Sequence, residues 1–135
     1  MDKIEYSKLN ARQKETFNFQ KVSAVLADYG FATIKLNDDW QGADFIAQHI
    51  DGETYLKIQL KARLTLAKKY CGKELYVCFP HKEEWYLYSH DSLLQDFTER
   101  FSESMIKSKS WVEGGVYTWK HLSKEIEQLL MPMKL

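Results

Sequence analysis

The dipeptide Asp51-Gly52 is the feature that most narrows what this chain can fold into. It separates two runs of strand character, Ala43 to Ile50 and Glu53 to Leu64. A two-residue connection between strands takes a type I′ turn, which needs positive φ at both central positions and so favours Asp-Gly. A hairpin built on it fixes a register: Ile50 pairs with Glu53, Ile46 with Lys57 and Asp44 with Gln59. Directly opposed side chains share a face, with Cβ atoms about 4.5–5.5 Å apart. Lys61, two residues beyond Gln59, lies on that face diagonal to Asp44. A four-residue loop keeps this parity, whereas a three-residue loop with a bulge breaks it. Opposite Lys61 lies Gly42, which leaves room for something to approach the backbone.

The second run alternates cleanly. Leu56, Ile58, Leu60, Ala62 and Leu64 form an apolar face, and Tyr55, Lys57, Gln59, Lys61 and Arg63 form the other. Upstream, Asn10 and Gln13 fit a capping box that opens a helix running to about Tyr29. Its apolar stripe is Phe19, Val22, Val25, Leu26 and Tyr29, and Gly30 ends it. Phe31 to Leu36 reads as a first strand, and Asn37 to Gly42 as a loop. Downstream, residues 65–73 hold one or two helical turns, and Leu75–Pro80 with Trp85–Tyr88 form a second hairpin. Asp91 is placed to cap a helix carrying Leu93, Leu94, Phe97 and Phe101. A serine-rich loop over 102–110, an irregular aromatic stretch over Trp111–Trp119 and a last helix over His121–Leu130 complete the chain.

Composition bounds the function. The 135 residues suit one domain, with 44% apolar and 28% charged residues. Lysine and arginine balance aspartate and glutamate, so the net charge is zero. This argues against non-specific coating of nucleic acid but leaves room for a local basic cleft. Cys71 and Cys78 form no CxxC pair and read as reduced thiols. With no apolar leader and no run of about 18 apolar residues, the expectation is a soluble cytoplasmic protein with no membrane contact.

The shared face carries the chemistry. An Asp carboxylate and a Gln carbonyl are hard oxygen ligands of the kind Mg²⁺ takes, and a nearby Lys stabilises charge developing on a phosphoryl oxygen or orients a water. A solvated sheet face with a structural Asp–Lys pair has the same spacing. Glu15, four residues before Phe19, extends the apolar stripe and reads as a second inward acid; a first-turn Glu favoured by the helix dipole is the simpler reading. Lys57, Lys61, Arg63, Lys68, Lys69 and Lys73 form the densest positive stretch, fit to grip a phosphate backbone or to be a solvated face. Trp111, Tyr117, Trp119 and His121 suit base stacking or a core edge. His81 and His90 lack metal-ligand spacing and read as surface residues.

Helix, strand, then D-x(14)-Q-x-K across a hairpin resembles the PD-(D/E)xK, or restriction endonuclease-like, nuclease superfamily in its QxK variant. The pattern stands as GADF at Gly42–Phe45 and KIQLK at Lys57–Lys61, and the likeness covers roughly residues 11–90. It implies an α/β fold: a mixed five-stranded sheet with an N-terminal helix and C-terminal helices packed on it. The chain is then a single domain over 1–135, with a nuclease-like core over about 11–90 and a C-terminal helical extension over about 91–135. The resemblance further implies a Mg²⁺- or Mn²⁺-dependent phosphodiesterase acting on DNA. Asp44, Gln59 and the Leu60 carbonyl would hold the metal, and Asp44, Gln59, Lys61 and Glu15 would form the catalytic set. Lys57, Arg63, Lys68 and Lys69 would contact nucleic acid, and a homodimer with one site per strand is expected.

Three features depart from the family. Gln59 stands where an acid is usual, Ala43 where a proline often precedes the Asp, and residues 65–73 are few for the crossover helix that makes the fourth strand parallel to the third. Either Arg63 and Leu64 lie outside the strand, or the fourth strand pairs differently. A catalytically inactive member of the same fold, binding a protein or nucleic acid, is the alternative function, favoured by Gln59 and zero net charge. An unrelated α/β domain whose hairpin mimics the motif is a third.

Overall fold

The computed structural model describes residues 1–101 and 105–135, with side chains at all of these except 39 and 40. Helix α1 (Ala11–Ala27) opens on the expected capping box. The Gln13 amide donates to Asn10 Oδ1 at 2.8 Å, and the Asn10 amide to Gln13 Oε1 at 3.0 Å. Val22 and Leu26 are its fully buried residues. Tyr29, expected on the inward stripe, falls past the helix end and is exposed.

Strand β1 (Phe31–Trp40) pairs antiparallel with β2 (Ala43–His49). It is longer than the expected Phe31–Leu36, because a register shift between Lys35 and Trp40 absorbs the polar residues read as a loop. The turn is Gln41-Gly42, where both residues take positive φ, 51° and 87°. Strand β3 (Tyr55–Leu60) pairs antiparallel with β2 in the register drawn from sequence, Ile46 against Lys57 and Phe45 against Ile58. The turn itself differs. Gly52 has positive φ but Asp51 does not. The His49 amide donates to the Thr54 carbonyl at 2.9 Å, so Ile50–Glu53 form a four-residue loop. Asp51 holds that loop by accepting from the Glu53 and Thr54 amides and the Thr54 hydroxyl. Parity survives because both loops contain an even number of residues.

β3 stops at Leu60, not Leu64, and β5 (Leu75–His81) lies parallel to it. The crossover therefore spans residues 61–74 and needs no full helix. It consists of strand β4 (Thr65–Ala67) and one 3₁₀ turn, Lys68–Tyr70. β4 finds its partner in β7 (Val116–Thr118), inside the segment read as irregular. β5 turns through Lys82-Glu83, both at positive φ, into β6 (Glu84–Ser89). The sheet order is β1-β2-β3-β5-β6, a mixed five-stranded sheet. Helices α2 (His90–Arg100), α3 (Lys109–Val112) and α4 (Lys124–Leu130) follow. Ser89, not Asp91, is the N-cap residue of α2. Of the expected 102–110 loop, residues 102–104 lie outside the described residues, and Met105 is buried.

Each face of the sheet carries its own core. Val22 and Leu26 of α1 pack with Phe45, Ala47, Ile58 and Cys78. On the other side Val77, Phe79 and Tyr88 pack with Leu93, Phe97 and Leu130. Burial on both faces makes β5 nearly continuously apolar, as parallel strands are. Among the described residues, no helix is long and apolar enough to cross a membrane.

Candidate functional site

Asp44 is the second residue of β2, and Gln59 the fifth of β3. The even-numbered loop sets them side by side, and they touch. Gln59 Nε2 donates to Asp44 Oδ2 at 2.9 Å, and the Leu60 backbone amide donates to the same oxygen at 2.8 Å. Gln59 Nε2 also lies 3.4 Å from the Leu60 carbonyl oxygen. Gln59 is only 7% exposed, since Val77 stands beside it on β5. Its Oε1 is buried and has no hydrogen-bond partner among the described residues.

That orphaned oxygen bears on whether a metal fits. The orientation of a carboxamide is assigned from its network, and without a cation the nitrogen must face the carboxylate. Turning the amide over would place Oε1 where Nε2 now stands, 2.9 Å from Asp44 Oδ2 and 3.4 Å from the Leu60 carbonyl. Adjacent oxygens around Mg²⁺ sit about 2.9 Å apart, given Mg–O distances of about 2.0–2.1 Å in an octahedron. A turned Gln59 would thus set its Oε1 at the adjacent-ligand spacing from Asp44 Oδ2, with the Leu60 carbonyl oxygen wider at 3.4 Å. Of these donors only Asp44 carries a negative charge.

Lys61 follows directly, its amide bonded to the Cys78 carbonyl at 2.9 Å, which continues the β3–β5 pairing. Its ammonium lies 5.7 Å from the Tyr70 ring centroid, and that of Lys69 lies 5.3 Å from it. The space expected opposite Lys61 is not open: a Cβ on Gly42 would meet the Tyr70 ring at 3.2 Å. Gly42 lets Tyr70 press against the hairpin, and Tyr70 in turn carries the two cations. Lys68 reaches over Trp111 at 5.5 Å. Lys68, Lys69 and Arg63 are exposed, and Lys57 is half-buried. Trp111 is a core residue, and Trp119 packs on Phe97 and Tyr117.

Glu15 is exposed, not inward, and joins none of the contacts made by Asp44 and Gln59. The helix turns its buried side through Val22 and Leu26, so spacing from Phe19 alone misjudged its edge.

His90 overturns its surface reading, being completely buried. The Ala67 amide donates to its Nε2 at 3.0 Å, and Nδ1 lies 3.0 Å from Asp91 Oδ1. With Nε2 accepting, Nδ1 carries the proton and donates to Asp91. Asp91 also accepts from the Gly72 amide at 2.9 Å. The His90 bond, then that of Gly72, holds the Asp91 carboxyl below the usual carboxylate range. Cys71 completes a group whose ligand atoms lie within 4.8 Å of one another. It does not suit a metal. A cation on Nδ1 would push the proton to Nε2, against the Ala67 N–H. Burial and the Asp91 charge also push the Cys71 thiol up, away from the thiolate a metal needs. The group instead ties β4 and the 3₁₀ turn to α2. Sequence carried no sign of it, because the partner of His90 is a backbone amide 23 residues away.

No family model matches the chain, and no curated protein matches it. Solved structures similar to it in fold include a resolvase and an endonuclease. One is a Holliday junction resolvase of the archaeon Archaeoglobus fulgidus, at 22% identity and a TM-score of 0.46, over 58% of this chain and 74% of that one. The other is a bacterial homing endonuclease, at 12% identity and a TM-score of 0.49, over 85% of this chain and 78% of that one. The mixed sheet, its N-terminal helix and its C-terminal helices give this chain the fold that its hairpin motif implied.

Proposed function

We propose that this chain is a metal-dependent DNA phosphodiesterase of the restriction endonuclease-like type. The observation that carries the reading is the contact between Asp44 and Gln59, 2.9 Å apart at the end of the sheet from which Lys61 emerges. Asp44, Gln59 and the Leu60 carbonyl would hold Mg²⁺ or Mn²⁺, which supplies Lewis-acid polarisation of the phosphate and an acidified water. The Leu60 amide fixes the Asp44 carboxylate, so its orientation is set before substrate arrives. The Lys61 ammonium, held over Tyr70, stabilises negative charge on a phosphoryl oxygen and orients the attacking water. Lys57, Arg63, Lys68 and Lys69 grip flanking phosphates, which makes binding salt-dependent. Glu15 is the fourth catalytic candidate, as a second acid. The chain would act as a homodimer, one site per strand, in the cytoplasm.

The test is plasmid and oligonucleotide cleavage in Mg²⁺ or Mn²⁺, with Lys61→Ala, Asp44→Ala and Glu15→Gln alongside. Loss of cutting with Lys61→Ala and Asp44→Ala is expected. Cutting that survives both belongs to a contaminant and removes the reading.

A second reading also has an observation behind it. The Gln59 amide closes on Asp44 and is almost fully buried, as in a scaffold that binds without cutting. DNA binding with no cleavage in either metal would favour it.

A further inference from the structure

We propose that the cavity beyond the carboxyl ends of β3 and β5 is a nucleotide subsite, taking one unpaired nucleotide with its phosphate on Arg63 and Lys120 and its base on Trp119. This deepens the nuclease reading and rests on it for the strand that enters. The cavity measures about 440 Å³, within the range of about 300–1,000 Å³ typical of small-ligand sites. It lies where α/β sheets place ligands, outside the carboxyl ends of parallel strands. Its wall starts at Ala62, one residue past Lys61, which sets the cavity next to the candidate centre along the chain.

The lining is basic in a chain of zero net charge. Arg63, Lys82 and Lys120 face one acid, Glu127. Lys82 is committed to that acid, at 3.2 and 3.3 Å. Among the described residues no ion pair engages Arg63 or Lys120, so the cavity keeps two cations without a counter-charge. His81 Nε2 also faces this wall, buried, without a hydrogen-bond partner among the described residues and 3.9 Å from Glu127 Oε1. A phosphate is the anionic group such a lining takes.

The aromatic wall is set in advance. The Trp119 amide donates to the Leu64 carbonyl at 3.1 Å, and its ring rests on Phe97 at 4.8 Å and Tyr117 at 4.5 Å. A partly buried indole held this way on the cavity wall offers its remaining exposed edge and face for stacking without reordering. Duplex bases are stacked on each other and cannot reach it, so the occupant is unpaired.

The test is a titration of the whole chain in EDTA, followed by the indole N–H signals of its four tryptophans, assigned by single Trp→Phe substitutions. Deoxyadenosine 5′-monophosphate is the probe, with deoxyadenosine and inorganic phosphate as separate arms. The Trp119 signal is expected to shift saturably with the nucleotide. The double variant Arg63→Ala/Lys120→Ala should weaken this by about tenfold or more, as loss of charge-assisted contacts does. Both residues are exposed, and an unchanged spectrum shows that the variant folds. A Trp119 signal that stays still, equal binding of deoxyadenosine, or equal binding of inorganic phosphate would each overturn the subsite. The titration needs neither metal nor cleavage, so it stands or falls separately from the nuclease reading.

Discussion

Replacing Gln59 by Glu puts a carboxylate where an amide now donates to Asp44 at 2.9 Å. Two full charges at that separation repel by about 6 kcal/mol at an effective dielectric of about 20. Protonation relieves this at lower cost. Neutralising a glutamate at pH 7 takes about 4 kcal/mol, given a reference pKa of about 4.3. The protonated acid can then donate to Asp44 as the amide did. The folded-state pKa of the new group is therefore raised, and its neutral form favours the fold below the unfolded pKa. That support is lost as pH rises. Relative to the parent, Gln59→Glu should be about 1 kcal/mol less stable at pH 5 and up to about 4 kcal/mol less stable at pH 7. Urea unfolding in EDTA at the two pH values measures this. Mg²⁺ should then recover part of the pH 7 deficit, about 2.7 kcal/mol at a concentration a hundredfold above Kd. A deficit independent of pH would mean that the two side chains do not share one enclosed space. A deficit that Mg²⁺ leaves unchanged would refute the metal assignment.

Other consequences follow from the same contacts. Hydrogen bonds from Thr54, then from the Thr54 and Glu53 amides, hold the Asp51 carboxyl well below its usual range. Its contribution is present above the unfolded pKa of about 3.9 and is lost as pH falls. The melting-temperature gap between the parent and Asp51→Ala should accordingly close in acid. His90→Leu strands the Ala67 amide and should cost about 1–3 kcal/mol in urea unfolding; no measurable loss would show that the amide finds another partner. Gly42→Ala sets a Cβ at positive φ, 3.2 Å from Tyr70. It should destabilise by about 1–3 kcal/mol and weaken DNA binding by displacing the ring under Lys61. Maleimide should label Cys71 in the native protein and reach Cys78 only on unfolding, since burial pushes the Cys78 thiol up to about 12.

What was legible in the sequence was whatever depends on parity and local chemistry. The Asn10–Gln13 box and the Asp44–Gln59 pairing rest on neighbours close along the chain, and both formed. The turn is a four-residue loop and not the expected two-residue one, yet both put the same residues on the same face. The Lys82-Glu83 turn carries the positive φ values expected of Asp51-Gly52, although neither residue favours them; the register of β5 and β6 imposes them. Contacts made at long range were not legible. Ala62 and Leu64 continue the alternation of β3, but the strand ends at Leu60, and β4 then pairs with β7. His90 looks like any polar residue at a strand end until the Ala67 amide meets it. Gly42 reads as space until Tyr70 fills it.

The β4–β7 ribbon has a consequence in time as well as in space. β4 joins the strand that presents Gln59 and Lys61 to the 3₁₀ turn that presents Lys69 and Tyr70. Its only strand partner among the described residues is synthesised some fifty positions later, with Thr65 opposite Thr118. During translation the hairpin of β2 and β3 has both its halves early, but the backbone edge of β4 stays bare until residue 118 has emerged. Pairings so distant in sequence form late, since the loop must close before they contribute. The Asp44–Gln59 contact can thus exist in the nascent chain well before the lysine-bearing crossover is fixed beside it, so the two halves of the site are completed in a set order.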